Sequence, residues 1–573
     1  MSKRNQVDLS EQNSRIRFLV LFFVILFFVG TGRLFYLMVS KNNYYAEAAA
    51  SQHWAQDVIQ PKRGKIYVRD NMTGGLYPLA DNQVLNLVFV APEEIENVRE
   101  VSERLSPIIN VKKEKIESLI TNNHTYVPLK RRISHEVAEK IKSFGFKGVY
   151  LTPELSRYYP ENKLAAHILG FVNDEGSGNY GLEQAFNDIL SGKPGYYKAE
   201  IDPTGKRIAF GDKVLKDAIN GDDLVLTINR DVQAEAERLL NSQIKKFSAE
   251  GGSVIVMDPE SGEIIAMASA PGFDPNEFSK VKDYNLFKNP VVQNLFEPGS
   301  IFKVLTMAAS LDAGKVDLDT EYNDTGSITL NGHKIMNSDR KANGWVTITQ
   351  VLERSLNTGT TYVMQRLGKA SFFEYIKKFG FGSKTGIELP GEEYGKVYEP
   401  KEVNDHTYAT ISFGQSITVT PIQMIRSFAM VANGGKMVQP HIVDERITPD
   451  GKKIKTDKRP LEQVISKEAT TKLKKMMISV VENGHGQQAK VMGYKIAGKT
   501  GTAQVPRKDG LGYESGKNIG SFVGFGPAEN PRFVVMAKID SPKGIAWAES
   551  TAAPVVGSML DFLFKYYEIP PSE

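Results

Sequence analysis

There is no cysteine anywhere in the 573 residues. Disulfides, thiolate catalysis and cysteine-held metals are therefore excluded, and the composition is compatible with a place outside the cytoplasm. Histidine is scarce too: the eight present show no ligand spacing, so no metal is expected. His124, His167 and His406 read as surface or packing residues rather than as ligands or bases. Blocks of one charge are also missing. The 71 lysines and arginines are interspersed with 67 acids, for a net charge of +4, so nucleic acid is not an expected partner. No repeat and no low-complexity tract is present. The length exceeds what one core can hold, and about two to four domains are expected.

Long apolar runs are absent with one exception, "IRFLVLFFVILFFVGTGRLFYLMV", from Ile16 to Val39. As a helix it measures about 36 Å, more than the ~30 Å hydrocarbon core of a bilayer. Arg17 and Arg33 stand where their side chains can snorkel to the interfaces. Lys3, Arg4, Arg15 and Arg17 outweigh Asp8 and Glu11 at the N-terminal side. The positive-inside rule then expects residues 1–15 in the cytoplasm, 16–39 across the membrane and everything later outside. A cleaved signal peptide is the alternative, since "AEAAAS" (46–51) offers Ala-x-Ala patterns. Those alanines lie well past a run already long enough to span, so an uncleaved single-pass anchor is expected.

Beyond the anchor, residues 40–225 read as a mixed α/β domain. "QPKRGKIYVRDNMTGGLYPLA" (60–80) alternates like strand and turn, residues 92–145 carry charged helical patterns, and residues 157–190 begin extended, turn helical and cross a glycine-rich loop. Residues 226–573 form the second domain. There "GGSVIVMDPESGEIIAMASAP" (251–271) reads as two alternating apolar strands around Asp-Pro-Glu-Ser-Gly, a hairpin. "GYKIAGKTGTAQV" and "SFVGFGPAENPRFVVMAKI" read as later strands, "AAPVVGSMLDFLFKYY" as a closing helix, and helices fill roughly 295–440. The fold expected is α+β: one antiparallel sheet whose first and last segments meet, with a helical lobe inserted.

In "EPGSIFKVLT" (297–306), Ser300 stands at the start of a helix ended by Gly314, and Lys303 follows three residues later. Capping alone explains the serine. The lysine, however, is on the wrong end of the helix macrodipole. Residues i and i+3 share a face, so the Lys303 amine can reach toward the Ser300 hydroxyl while Ile301 and Phe302 anchor the turn in a core. Desolvation and a second cation both lower a lysine pKa, and a neutral amine can take a proton from a serine. In "VLERSLNTGTTYV" (351–363) two helices meet at Ser355-Leu356-Asn357, where an N-cap by Asn357 or Thr358 is the plain explanation. Lys499-Thr500-Gly501-Thr502 lie among small residues, which suits an edge strand that pairs with an extended peptide. "GYKIAGKT" (493–500) also fits the P-loop pattern. A P-loop needs a helix starting at its lysine, and "TAQVPRKDG" has no helical period, so no nucleotide is expected.

Ser-x-x-Lys, Ser-x-Asn and Lys-Thr-Gly, in that order, are the signature shared by class A β-lactamases and penicillin-binding proteins. The chain resembles a class B penicillin-binding protein, a monofunctional peptidoglycan transpeptidase, along nearly its whole length. In the first domain the resemblance is carried by "RGKIYVRD" (63–70), "RYYP" (157–160), "AAHILGFV" (165–172) and "GLE" (181–183). In the second it is carried by "MDPESGEIIAMASAPGFDPN" (257–276), "EPGSIFK" (297–303), "SFGQSITVTPIQ" (412–423) and "GKTGTAQ" (498–504). "AAHILGFV", "SLNTG" and the "SFG" stretch are closer to the division and sporulation type than to the elongation type. One departure is "RGKIYVRDNMTGG", where the family has a short Asp-Arg-Asn-Gly turn; it bears on the geometry of the first domain, not on the chemistry.

The resemblance implies a pedestal over 40–225 and a serine β-lactamase-like penicillin-binding domain over 226–573. Ser300 would attack the penultimate D-alanine carbonyl of a stem peptide, with Lys303 as base. Ser355 would relay a proton to the leaving amine, and Asn357 would orient Lys303 and the substrate amide. Lys499 would be the second cation, each lysine lowering the pKa of the other. The Thr500 and Thr502 hydroxyls, on either side of Gly501, would hold the terminal carboxylate, and the N–H groups of Ser300 and Thr502 would form the oxyanion hole. A second stem peptide's amine would then complete a cross-link during septal wall synthesis, and penicillins would acylate the same serine. The partners implied are stem peptides, β-lactams, the membrane, a membrane-embedded glycan polymerase and division proteins, with no cofactor. A D,D-carboxypeptidase, a β-lactam sensor or β-lactamase, and a non-catalytic division scaffold are the alternatives.

Overall fold

The computed structural model describes residues 9–42, 54–70, 73–123, 125–200, 213–457, 462–507, 512–544 and 547–571. His124 and the "AEAAAS" stretch lie outside them. The chain divides into two compact units, Met1–Pro61 with Lys193–Ile219, and Lys62–Gly192 with Asn220–Glu573.

The first unit carries α1 (Leu9–Phe35), which runs on into a π-helical turn at Tyr36–Ser40. Arg15–Ser40 has a mean hydropathy of 2.4 and buries none of it against protein. The span expected at 16–39 falls inside that segment, and its bare apolar surface calls for lipid. Trp54–Ile59, Gly195–Glu200 and Lys213–Lys216 form a small antiparallel sheet in the same unit.

The second unit begins with β1 (Ile66–Arg69), β2 (Leu76–Val90), α2 (Val98–Ile109), α3 (Lys113–Thr121), β3 (Val127–Ile133), α4 (His135–Lys142) and β4 (Val149–Tyr158). Asn97 and Ser134 cap α2 and α4 through their side chains, and Leu105, Ile116 and Ile141 pack with Val88 and Val90 into one core. Past β1, Asp70 accepts from the Thr73 amide and the Gly74 amide; the Asn71-Met72 part of the departing stretch lies outside the described residues. The motifs "RGK", "RYY" and "GLE" converge on one buried charge cluster. The wholly buried Glu183 carboxylate receives Arg63 Nε and Arg157 Nε, each at 2.7 Å, and the Tyr159 hydroxyl at 3.3 Å.

The chain then forms β5 (Asp223–Leu226), α5 (Arg230–Phe247), β6 (Gly251–Met257) and β7 (Ile264–Ala270). Through the helical lobe run α6 (Lys303–Asp312), β8 (Glu321–Asp324), β9 (Ser327–Leu330), β10 (His333–Met336), β11 (Gly344–Thr347), α7 (Ile348–Glu353), α8 (Asn357–Leu367), α9 (Asp405–Ser412) and α10 (Pro421–Ala432). After it come β12 (Val443–Ile447), β13 (Lys453–Lys455), α11 (Lys467–Asn483), β14 (Ala497–Pro506), β15 (Tyr513–Gly526), β16 (Phe533–Asp540) and α12 (Ala548–Tyr566).

The catalytic sheet has the order β7-β6-β16-β15-β14, antiparallel throughout, so its first and last segments meet where β6 pairs with β16. Both faces are covered. Val254, Val256, Phe522 and Val535 face α5 and α12, while Ile255, Val523 and Met536 pack with Val304, Ile422 and Met476 of α6, α10 and α11. The alternation read in the sequence therefore sorts side chains between two apolar cores rather than between a core and water. The helical lobe differs from the expectation by carrying the pairs β8–β11 and β9–β10. A second departure lies in the pedestal sheet, ordered β13-β12-β5-β1-β2-β3, with β4 on β2. Two of its strands, β12 and β13, come from far along the second domain.

Candidate active site

Ser300 occupies a tight helical turn, Gly299–Phe302, that feeds into α6 at Lys303. Ile301 and Phe302 are wholly buried, as an anchored turn requires. Gly299 has φ +57°, and a Cβ there would stand 2.8 Å from the Thr502 carbonyl oxygen. Its amide donates to the Gly414 carbonyl at 2.9 Å. A Cβ at Gly501 would lie 2.6 Å from Ser521 Oγ and 2.9 Å from the Pro298 carbonyl oxygen. Glycines thus let the edge strand β14 and the Ser412–Gly414 segment close on the turn that carries Ser300.

Ser355 joins α7 to α8 with φ +56°, a strained conformation for a serine. Lys303 Nζ donates to the Ser355 carbonyl at 2.6 Å, to Asn357 Oδ1 at 2.7 Å and to Ser355 Oγ at 3.2 Å. Lys499 Nζ donates to the same Ser355 Oγ at 3.0 Å, to the Thr500 carbonyl at 3.1 Å and to Thr500 Oγ1 at 3.3 Å. Both lysines are wholly buried, and among the described residues neither has an ion pair. Burial, and then the charge of Lys499, hold Lys303 well below the usual lysine range. Burial alone brings Lys499 down to about 7. The mutual effect expected between the two amines is therefore one-sided: once Lys303 is neutral it no longer repels Lys499.

The N-cap expected from Asn357 or Thr358 is not formed by either side chain. Leu356 holds the cap position, and the Thr358 amide donates instead to Asn337 Oδ1, 3.2 Å away in an earlier segment. This leaves Asn357 free, with Nδ2 on the Met336 carbonyl at 2.9 Å and Oδ1 on Lys303. Thr502 Oγ1 accepts from the Ala548 amide at 3.2 Å and keeps its own proton to donate. β14 runs as strand through Lys499, which removes the helix a P-loop needs.

Several contributors escaped the motifs. Asn337 and Met336 sit in a stretch with no recognisable pattern. Glu297, buried, accepts from the Ser416 amide at 2.9 Å and from Tyr513 Oη at 3.1 Å, tying the β15 end to the serine's turn. Its place in "EPGS" was the only signal. His167 is a packing residue as expected: it is buried, Nε2 lies 3.0 Å from the Leu286 carbonyl, and burial lowers its pKa to about 4. His406 lies against His333, ring centres 4.8 Å apart and planes tilted by 45°.

The fold and site define a serine acyltransferase: a serine on an anchored turn, buried amines converging on a second serine, and an open sheet edge beside them. A family model described as "Penicillin binding protein transpeptidase domain" matches residues 252–561, and one described as "Penicillin-binding Protein dimerisation domain" matches 58–226. Stage V sporulation protein D of Bacillus subtilis is 36% identical over 554 residues, 95% of this chain and 84% of that protein. The peptidoglycan D,D-transpeptidase FtsI homolog of Mesostigma viride is 31% identical over 583 residues, 96% of each. A crystal structure of penicillin binding protein 3 from Mycobacterium tuberculosis, complexed with aztreonam, matches with a TM-score of 0.69 at 25% identity, covering 90% of this chain and 98% of that one. The chain belongs to the class B penicillin-binding proteins, which join a dimerisation domain to a transpeptidase domain.

Proposed function

We propose that this membrane-anchored chain is a peptidoglycan D,D-transpeptidase that works through an acyl-enzyme on Ser300. The observation that carries this reading is the pair of wholly buried lysines, Lys303 and Lys499, with no carboxylate among the described residues to neutralise either. An ammonium buried without a counter-ion is costly, so the site favours a neutral Lys303 able to take the Ser300 proton. Ser300 Oγ attacks the penultimate D-alanine carbonyl, and the amides of Ser300 and Thr502 receive the oxyanion. The proton passes by way of Ser355 to the departing D-alanine nitrogen as the C–N bond breaks. The amine of a second stem peptide then attacks the ester, forms the cross-link and returns the proton and Ser300. Lys499, Thr500 and Thr502 hold the terminal carboxylate, and Gly501 allows the close approach. A β-lactam ring opens onto Ser300 by the same route.

Residues 40–225 act as pedestal and 226–573 as the catalytic portion, outside the cytoplasm, with 1–15 inside. The polymerase that makes the glycan and the other division proteins meet the anchor and pedestal during septal wall synthesis. Orientation is open to a direct test because the chain has no cysteine. A membrane-impermeant maleimide applied to intact cells is expected to label Tyr394→Cys and not Asn5→Cys; the reverse pattern overturns the topology.

For the chemistry, the full-length chain in detergent is treated with a fluorescent penicillin alongside Ser300→Ala and Lys303→Ala. A stable adduct on the native chain alone supports the reading, and labelling of folded Ser300→Ala refutes it. Supplying a stem pentapeptide with an amine acceptor then separates cross-linking from hydrolysis. Release of D-alanine with no cross-linked product would favour the carboxypeptidase.

A further inference from the structure

We propose that Asp324 is a positioning residue for the Ser355-x-Asn357 arm, fixing which way the Asn357 amide points and hence where the Lys303 amine stands. The inference rests on the reading of Lys303 as base. Asp324 ends β8, is 1% exposed, and among the described residues no lysine or arginine pairs with it. Its oxygens are saturated by neutral donors. Oδ1 accepts from Thr358 Oγ1 at 2.7 Å, Asn337 Nδ2 at 3.0 Å and the Gly326 amide at 3.1 Å. Oδ2 accepts from Asn343 Nδ2 at 2.7 Å, Asn337 Nδ2 at 2.9 Å and the Asn343 amide at 3.1 Å. A carboxylate buried with so many donors can hold them all in one arrangement only while it stays ionised.

Two of those donors lead to the catalytic arm. Thr358 is in the first turn of α8, so the carboxylate anchors that turn and faces the positive end of the helix. Asn337, pinned by Asp324, accepts the Thr358 amide at 3.2 Å, while the single Thr358 hydroxyl proton goes to Asp324 Oδ1. The neighbouring Met336 carbonyl receives Asn357 Nδ2 at 2.9 Å, which turns Oδ1 toward Lys303 Nζ at 2.7 Å. If Asn337 were released, the Met336 carbonyl would lose its place and the Asn357 amide could flip. A flipped amide would present its NH2 to the Lys303 amine, donor against donor.

The test separates the acylation rate constant from the affinity of the initial complex, using fluorescent penicillin on the full-length chain. Asp324→Asn keeps the shape but turns an acceptor into a donor facing the donors of Asn337 and Asn343. The acylation rate constant is expected to fall roughly 10- to 100-fold, the cost of a displaced catalytic group, with affinity unchanged. The reciprocal swap, Asp324→Asn with Asn337→Asp, returns a carboxylate to the cluster and is expected to recover most of the loss. A folded Asp324→Asn chain that acylates at the native rate overturns the proposal. So does a swap that recovers nothing while both variants lose affinity and thermal stability together, for that is the mark of a merely structural residue. Ser300→Ala, run in parallel, keeps the two readings apart. If it labels, the active-site assignment fails; if it is dead while Asp324→Asn is normal, only this inference fails.

Discussion

Lys303 and Lys499 donate to one and the same hydroxyl, Ser355 Oγ, at 3.2 and 3.0 Å. Two amines that meet on a neutral oxygen, buried and without a counter-ion among the described residues, cannot both stay charged at low cost. Their protonation states are driven apart, which fits the roles proposed for them, Lys303 as base and Lys499 as cation.

Acylation efficiency is therefore expected to fall on the alkaline side with a midpoint near the Lys499 value of about 7. The ratio of rate constant to complex affinity reports the free enzyme, so its pH profile reads this group before ligand binds. In Lys499→Arg the cation keeps its proton at every accessible pH, and the alkaline limb should move upward or vanish. An unchanged limb in that variant would assign the titration to another residue.

Lys499 also burdens the fold. A shift from 10.5 to about 7 amounts to a cost on the order of 5 kcal/mol by linkage. That cost is fully present below the folded value, where the amine is charged in both states, and it fades as pH rises toward the unfolded value. Lys499→Met is expected to abolish acylation yet raise the melting temperature, more at pH about 6 than at pH about 9. Thermal melts at the two values decide it; a uniform decrease would mean that the hydrogen bonds of Lys499 outweigh its desolvation.

Gly501→Ala should cut acylation by about 100-fold, because the new methyl group forces β14 away from the Pro298 carbonyl. Gly314→Ala serves as the contrast. That glycine has φ +62° and open space around it, so alanine there costs roughly 1 kcal/mol of stability and leaves the acylation rate alone. Equal acylation losses in both would contradict the close-approach explanation.

Glu183→Ala is expected to destabilise the chain by about 3–5 kcal/mol, since it strands two buried guanidinium groups. Burial alone would push the Glu183 carboxyl up; the charges of Arg157 and Arg63 outweigh it and hold it below its ordinary 4.5. The stability it lends is thus complete above that value and is lost as pH falls further. Chemical denaturation at neutral pH checks this: a Glu183→Ala chain as stable as the native one would contradict the reading of the cluster.

The chemistry was legible because each motif places unlike groups at fixed short spacings. Ser300 and Lys303 share a helix turn, and Lys499 occupies a strand next to glycines that have one structural use. What stayed hidden was contact between segments far apart in sequence. The α8 cap comes from Asn337, and nothing in "NDTGSITLNGHKIMNSD" distinguishes a polar residue that supports catalysis from one that faces water. The pair β8–β11 is short, partly exposed and without apolar alternation, whereas β9–β10 carried a readable signal that was missed: Ser327 to Leu330 alternates, and Asn331-Gly332 is the two-residue turn leading to His333. The meeting of β6 with β16 was readable from placement, since strands stand at both ends of the second domain with helices between them.

The line drawn at residue 225 passes through β5, which lies between β1 of the pedestal and β12 of the catalytic half. Ion pairs from Arg69 to Glu445 and from Arg446 to Asp222 cross the same seam. Scissors placed there would leave β1 and β12 each with a bare edge of unpaired amides and carbonyls, an invitation to aggregation. The two halves share one lamina and should melt as one body. Whatever pulls on the pedestal therefore pulls on the wall of the catalytic lobe.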